Sequence, residues 1–243
     1  MILMYHNIGP APAANTVAID AFAAQMAHLA DPASGYAVQD FAAYTAQLDG
    51  RQRQRKALTV TFDDAYIHVA AMALPVLEQH QIPVTVFVPV GHVGGHNAWD
   101  TAQGAAEIRI MDWAALRELA GHPLVTLGVH SWSHPSMGQL PEADLGREIG
   151  EAKAELEQQI GGEAAFFAYP YGQLKDVGSV VAKAVQAAGF QAACTTIWGG
   201  DNGEAQRFLL RRLDITPEDS LLDFRKKLEK RRHSRFVRQR LKN

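Results

Sequence analysis

Short apolar runs at residues 2–5, 58–62, 84–88, 124–129, 165–169, 190–195 and 208–215 alternate with longer stretches, at 20–30, 66–80, 112–121, 142–160 and 177–188, whose apolar residues recur at helical spacing. Runs of that length without polar alternation read as strands buried on both faces. Strand and helix in regular succession imply parallel strands joined by right-handed crossovers, which leaves either an open doubly wound sheet or a closed barrel. The punctuation agrees: Gly189 follows one helical stretch, Gly161-Gly162 follows another, and Pro83 opens a strand. The irregular stretch 90–109, rich in Gly and His, is expected to shape the mouth of a site.

At 243 residues, 47% apolar and 20% charged, the chain can bury one sizeable core, and a single domain over residues 1–224 is expected. Residues 225–243 form a separate basic helical tail in this reading. They carry ten Lys or Arg against Glu229 alone, so the net charge of −3 divides into a tail near +9 and a body near −12. An acidic body without base-stacking motifs argues against nucleic acid. The tail, with Leu228, Phe236, Val237 and Leu241 among its bases, suits contact with an anionic membrane or a partner, a solvated terminus being the alternative. Cys194 is the single cysteine, so no intramolecular disulfide forms. Met1 leads into Ile2 to His6 without a signal-peptide pattern, and nowhere do about 18 apolar residues run together. A soluble cytoplasmic protein is expected, able to reach a membrane through its tail.

Polar residues follow several apolar runs directly: His6 after the first, Asp63-Asp64 after the second, His130 after a later one and Tyr171 after another. In parallel α/β folds the C-terminal ends of the strands converge on one face, where sites are assembled from residues distant in sequence. Two adjacent aspartates at a strand end are unfavourable without a cation or a function. His130 and His134, four apart, share a face if that segment turns helically, as two ligands of a divalent metal would. A carboxylate and two imidazoles leave coordination positions open, the mark of a catalytic metal. Against this stands a plain reading of the aspartates as a turn or cap, and of the histidines as exposed residues. His28, His68, His80 and His122 lie on helical stretches and read as surface residues, and His92 and His96 as loop residues.

Thr61-Phe62-Asp63-Asp64, His130-Ser131-Trp132-Ser133-His134 and Tyr169-Pro170-Tyr171-Gly172 resemble the first three motifs of the polysaccharide deacetylases, the NodB-homology or carbohydrate esterase family 4 enzymes. The resemblance implies a distorted (β/α)7 barrel that removes N-acetyl groups from a saccharide. It implies Asp64, His130 and His134 as metal ligands, Asp63 as general base, and the backbone N–H of Tyr171, in a turn fixed by Pro170, as donor to the oxyanion. Zinc is the expected ion, with cobalt and nickel as alternatives that the same donors suit.

The sequence also departs from the common pattern. Ala168 stands where the third motif usually has arginine, Ala65 where a glycine usually follows the aspartates, and Leu210-Arg211-Arg212-Leu213-Asp214 where Leu-x-His is usual. The usual general acid is thereby missing. Leu3-Met4-Tyr5-His6 resembles the start of a circularly permuted branch that includes poly-N-acetylglucosamine deacetylases, in which an N-terminal histidine is the acid. His6 is therefore the candidate acid, with a core histidine as its plain alternative. Trp113 resembles the tryptophan segment of that branch, and Trp99 could stack on a pyranose. The expected activity is metal-dependent deacetylation of an N-acetylhexosamine unit. The alternatives are hydrolysis of another non-peptide C–N bond, or an inactive saccharide-binding module.

Overall fold

The structure, a computed structural model, describes residues 1–11, 13–50, 56–102, 104 and 106–230. Strand β1 (Ile2–Tyr5) leads into a short parallel pair, β2 (Asn7–Gly9) and β3 (Thr16–Ala18), and then helix α1 (Ile19–Ala30). Strand β4 (Ala37–Val38) and helix α2 (Phe41–Ala46) precede β5 (Ala57–Phe62). A π-helical turn at Val69–Ala73 continues into α3 (Leu74–Gln79), followed by β6 (Val84–Val88), α4 (Ala98–Thr101), α5 (Trp113–Ala120) and β7 (Val125–Val129). Next come α6 (Glu142–Leu145), a second π-helical turn at Gly146–Glu151 and α7 (Ala152–Ile160). The chain goes on through β8 (Phe166–Ala168), α8 (Leu174–Ala187), β9 (Ala192–Trp198), β10 (Leu210–Asp214) and α9 (Leu221–Lys230).

The strand order is β1-β10-β9-β8-β7-β6-β5, and β5 returns to pair with β1, so seven parallel strands close into a barrel with helices outside. Closure rests on Ile2↔Thr59 through Tyr5↔Phe62 on one side of β1 and Leu3↔Leu213 on the other. Strand β4 adds to the start of β5, outside the ring. The sequence left an open sheet or a barrel; the pairing of β1 with β5 decides for the barrel.

Alternation along the strands divides the core in two. One set of positions, including Ile2, Phe87, Phe166, Ala168, Ala192, Cys194 and Leu210, forms the barrel interior together with Phe41 from α2. The Phe41 ring lies 4.8 Å from that of Phe166, so α2 closes the N-terminal end. The other set, including Leu3, Val60, Val86, Leu127, Phe167 and Leu213, packs against Met26, Leu77, Leu116, Leu156 and Val185 of the surrounding helices. The inward series Ile2-Met4, Thr59-Thr61, Gly128 and Leu210-Arg212 continue two residues on to His6, Asp63, His130 and Asp214. The chemistry is thus carried at the C-terminal rim by the register that fills the interior.

Most elements match the sequence expectation within a few residues. The short β2, β3 and β4 and the helix α2 had no periodic signal and were not expected. The helix expected over 142–160 is broken by its π turn, and the one over 66–80 begins as one. Helix α9 packs Phe224 and Leu228 against the body, near α1, so the start of the basic segment belongs to a packed helix. The remainder of the expected membrane-contacting tail, residues 231–243, lies outside the described residues. Among the described residues no helix is long and apolar enough to cross a membrane.

Candidate metal centre and active-site cavity

Asp64, His130 and His134 meet at the barrel rim, with one donor atom from each lying within 4.8 Å of the others. Asp64 Oδ1 is 3.3 Å from His134 Nε2 and 3.5 Å from His130 Nε2, all three side chains being buried. Among the described residues that oxygen has no hydrogen-bond partner. A buried, ionised oxygen with no donor, facing two imidazole nitrogens, fits a site built for a cation. His130 Nδ1 donates to the Ala168 carbonyl at 2.7 Å, which directs the Nε2 lone pair toward Asp64.

The charges agree. Burial pushes the His130 imidazolium down to about 4, so the ring is neutral and free to ligate at pH 7. Burial alone would raise the Asp64 carboxyl, but His134 and His130 hold it well below the usual carboxylate range.

The backbone here is unusual. Asp64, Ala65, Ser131, His134 and Tyr171 all have positive φ, between 49° and 70°. Such a conformation costs roughly 1–2 kcal/mol per non-glycine residue, and it persists where the surroundings hold it. Ala65, in place of the usual glycine, adopts φ 49° while its carbonyl accepts from Met111 N–H at 3.0 Å. The helical turn that could have aligned His130 with His134 does not form. The segment is instead a loop pinned by Val90 N–H to Ser131 O (3.0 Å) and Gly91 N–H to Trp132 O (2.8 Å).

Asp63 makes the interaction that the sequence did not disclose. Its carboxylate takes two bonds from Arg212, Nη1 to Oδ1 at 2.7 Å and Nη2 to Oδ2 at 2.6 Å. Both residues are 1% exposed. Arg212 Nε also donates to Thr195 O at 2.8 Å, and Nη1 to Thr61 Oγ1 at 3.2 Å. Burial works against both charges, yet the pairing holds the Asp63 carboxyl below its ordinary range and the Arg212 guanidinium above its own. The cation missing at Ala168 is therefore supplied by β10. A partial signal was present: Arg212 lies two residues after Leu210, on the same inward face of β10, although Arg211 stands beside it.

A cavity of about 270 Å³ brings together His6, Asp63, Asp64, Trp99, His130, His134 and Tyr171, joined by Asn15, Asp100, Gln173, Thr196 and Asp214. His6 is half-buried on its wall. The Trp99 ring stacks on His134, centroids 3.9 Å apart and planes at 15°, so one of its faces is already taken by that imidazole. Tyr171 is exposed at the rim, its ring edge-on to His134 at 5.1 Å. Its backbone N–H makes no hydrogen bond to another described residue. Pro170 is buried at that turn, where the Gly172 N–H reaches the Pro170 carbonyl. Trp113 is placed elsewhere: it opens α5 behind the Asp112 cap and packs against the apolar core, outside the cavity lining. His92 and His96 stay in the loop, His92 edge-on to Trp99 and His96 4.0 Å from Glu107.

Residues 50–193 match the family model for polysaccharide deacetylase. A Bacillus subtilis protein named for that family is 25% identical over 221 residues, covering 89% of this chain and 71% of its own length. The Staphylococcus aureus poly-β-1,6-N-acetyl-D-glucosamine N-deacetylase is 27% identical over 126 residues, 50% of this chain and 42% of that protein. In fold, the chain is similar to IcaB from Ammonifex degensii (TM-score 0.79, 23% identity, 94% and 96% of the two chains). It is also similar to the Streptococcus pyogenes deacetylase PplD solved with acetate (TM-score 0.76, 22% identity, 93% and 96%).

Proposed function

We propose, from the premise that this chain belongs to the polysaccharide deacetylase family, that it is a metal-dependent hydrolase removing acetyl groups from an N-acetylhexosamine-containing saccharide. The observation that carries the reading is one cavity holding an Asp-His-His cation site, a carboxylate beside it kept ionised by Arg212, and a histidine on its wall. The likeness to a poly-N-acetylglucosamine deacetylase supports a polymer or oligomer of N-acetylglucosamine as substrate.

A divalent ion held by Asp64, His130 and His134, zinc in this proposal, would supply Lewis acidity to a carbonyl and acidify a water. Asp63 accepts the proton of the attacking water; Arg212 grips both carboxylate oxygens from one side and so fixes the direction of the remaining lone pairs. Charge develops on the acetamide oxygen, and the uncommitted Tyr171 N–H is the donor suited to meet it. His6, at the end of β1 beside the Asp63 strand, delivers a proton to the departing amine. The exposed Tyr171 ring and the Trp99 indole that lines the cavity suit contact with the sugar.

The test is acetate release from N-acetylglucosamine oligomers by zinc-reconstituted protein, beside Asp63→Asn and His6→Ala. Release by wild type that collapses in both variants while bound zinc persists is the expected result. Wild type that holds zinc and releases no acetate from any oligomer would overturn the reading.

A further inference from the structure

The two histidines of the cation site are held in different ways. His130 is fixed through its own ring, by the Nδ1 bond to the Ala168 carbonyl. His134 Nδ1 is buried and has no hydrogen-bond partner among the described residues, although a metal-ligating histidine almost always donates its second ring nitrogen to an acceptor that sets its orientation. Something else must aim His134.

Glu148 supplies it. Its carboxylate, 7% exposed, reaches the two residues immediately before His134. Oε2 accepts from Trp132 N–H at 3.0 Å and Ser133 N–H at 2.9 Å, and Oε1 accepts from Ser133 Oγ at 2.6 Å. Glu148 sits within the π-helical turn Gly146–Glu151, a rare geometry often found at functional sites. The neighbouring Arg147 lies over the Trp132 ring at 5.2 Å, and Val90 and Gly91 hold the opposite side of the loop. The strained backbone of Ser131 and His134 is held by these contacts, by the His134 N–H bond to Ser131 Oγ at 3.0 Å, and by the Trp99 ring stacked on the imidazole.

We propose that Glu148 is a positioning residue for the metal site, orienting His134 through its backbone where the ring itself has no anchor. This rests on the metal-dependent reading above. The test compares zinc and cobalt affinity, by competition with a chromophoric chelator, and the visible spectrum of the cobalt form, in wild type, Glu148→Ala and Glu148→Gln, alongside melting of the metal-free proteins. Removing an orienting partner of a metal ligand costs about ten- to hundredfold in affinity, and Glu148→Ala is expected to lose that much with an altered cobalt spectrum. Glu148→Gln keeps one carbonyl oxygen for both N–H groups and offers its amide to the Ser133 hydroxyl, so it stays close to wild type. Glu148→Ala that folds and binds zinc as tightly as wild type would overturn the proposal, leaving Glu148 a support of the helix alone. If Glu148→Ala does not fold, Ser133→Ala removes the 2.6 Å bond only; weakened zinc binding there supports the clamp and unchanged binding overturns it. Wild type that binds neither ion overturns the clamp and the functional reading together, a result distinct from a failure of Glu148→Ala alone.

Discussion

Arg212→Met leaves the Asp63 carboxylate inside the barrel with its guanidinium gone and methionine filling most of the space. Both partners are almost wholly buried, so solvent screening does not soften the loss. Removing one member of such a pair costs about 3–5 kcal/mol, and at about 2–4 °C per kcal/mol for a chain of this size the melting temperature should fall by roughly 6–20 °C. The pH dependence is the sharper test, run on metal-free protein in chelator. In wild type the Asp63 carboxyl titrates below its unfolded value, so its contribution is present above that value and is lost as pH falls through the folded one. In the variant, burial is no longer opposed by Arg212, and the folded carboxyl titrates above the unfolded value. Its contribution is then intact at acid pH and lost as pH rises through the folded value. The gap between the two proteins should therefore be wide at pH 7 and narrow toward pH 4. Urea unfolding followed by circular dichroism at several pH values measures it. A gap under about 1 kcal/mol, the range of an exposed pair, or one that does not change with pH, would refute the buried ion pair. Asp63→Asn combined with Arg212→Met should recover part of the loss, because the unpaired charge is then absent.

Other consequences are simpler to check. Gly91→Ala would place a Cβ 2.6 Å from Trp132 Nε1 and 2.7 Å from Trp132 O. Overpacking of this kind costs about 1–3 kcal/mol, and here it should also weaken zinc binding, since Trp132 belongs to the ligand loop. Chelation of zinc supplied at a hundred times its dissociation constant should remove about 2.7 kcal/mol, lowering the melting temperature by about 5–11 °C on the same scale. The Cys194 thiol is buried and pushed up to about 12 by that burial. A thiol-disulfide reagent at pH 8 should leave it unmodified in the native protein and modify it in urea; rapid native labelling would show that the barrel interior opens.

Much of this protein was legible along the chain because parallel strands buried on both faces need uninterrupted apolar runs. Those runs marked every strand of the ring. The residues that follow them, His6, Asp63, Asp64, His130 and Tyr171, marked the rim: His6, Asp63 and His130 lie two positions beyond inward residues, and Asp64 and Tyr171 lie in the turns that leave the strand ends. Local spacing could not decide what depends on contact between distant segments. Closure of β1 on β5 is a pairing across some 57 residues, with no local signal. The His130–His134 segment had helical spacing, yet the N–H groups of Val90 and Gly91 and the carboxylate of Glu148 hold it as a strained loop, and those partners lie tens of residues away or on another helix. Arg212 looked like one of two arginines in a departed motif; only the barrel puts it against Asp63. Trp113 carried a plausible motif and lies half-buried against the core, outside the cavity lining, because a tryptophan behind a helix cap is placed by the packing of that helix. The sequence by itself determined the strands, the rim and the chemical kinds of residue gathered there. The tertiary structure decided which charge neutralises which and which partners hold the His130–His134 segment, because those interactions are set by burial and distance between residues far apart in the chain.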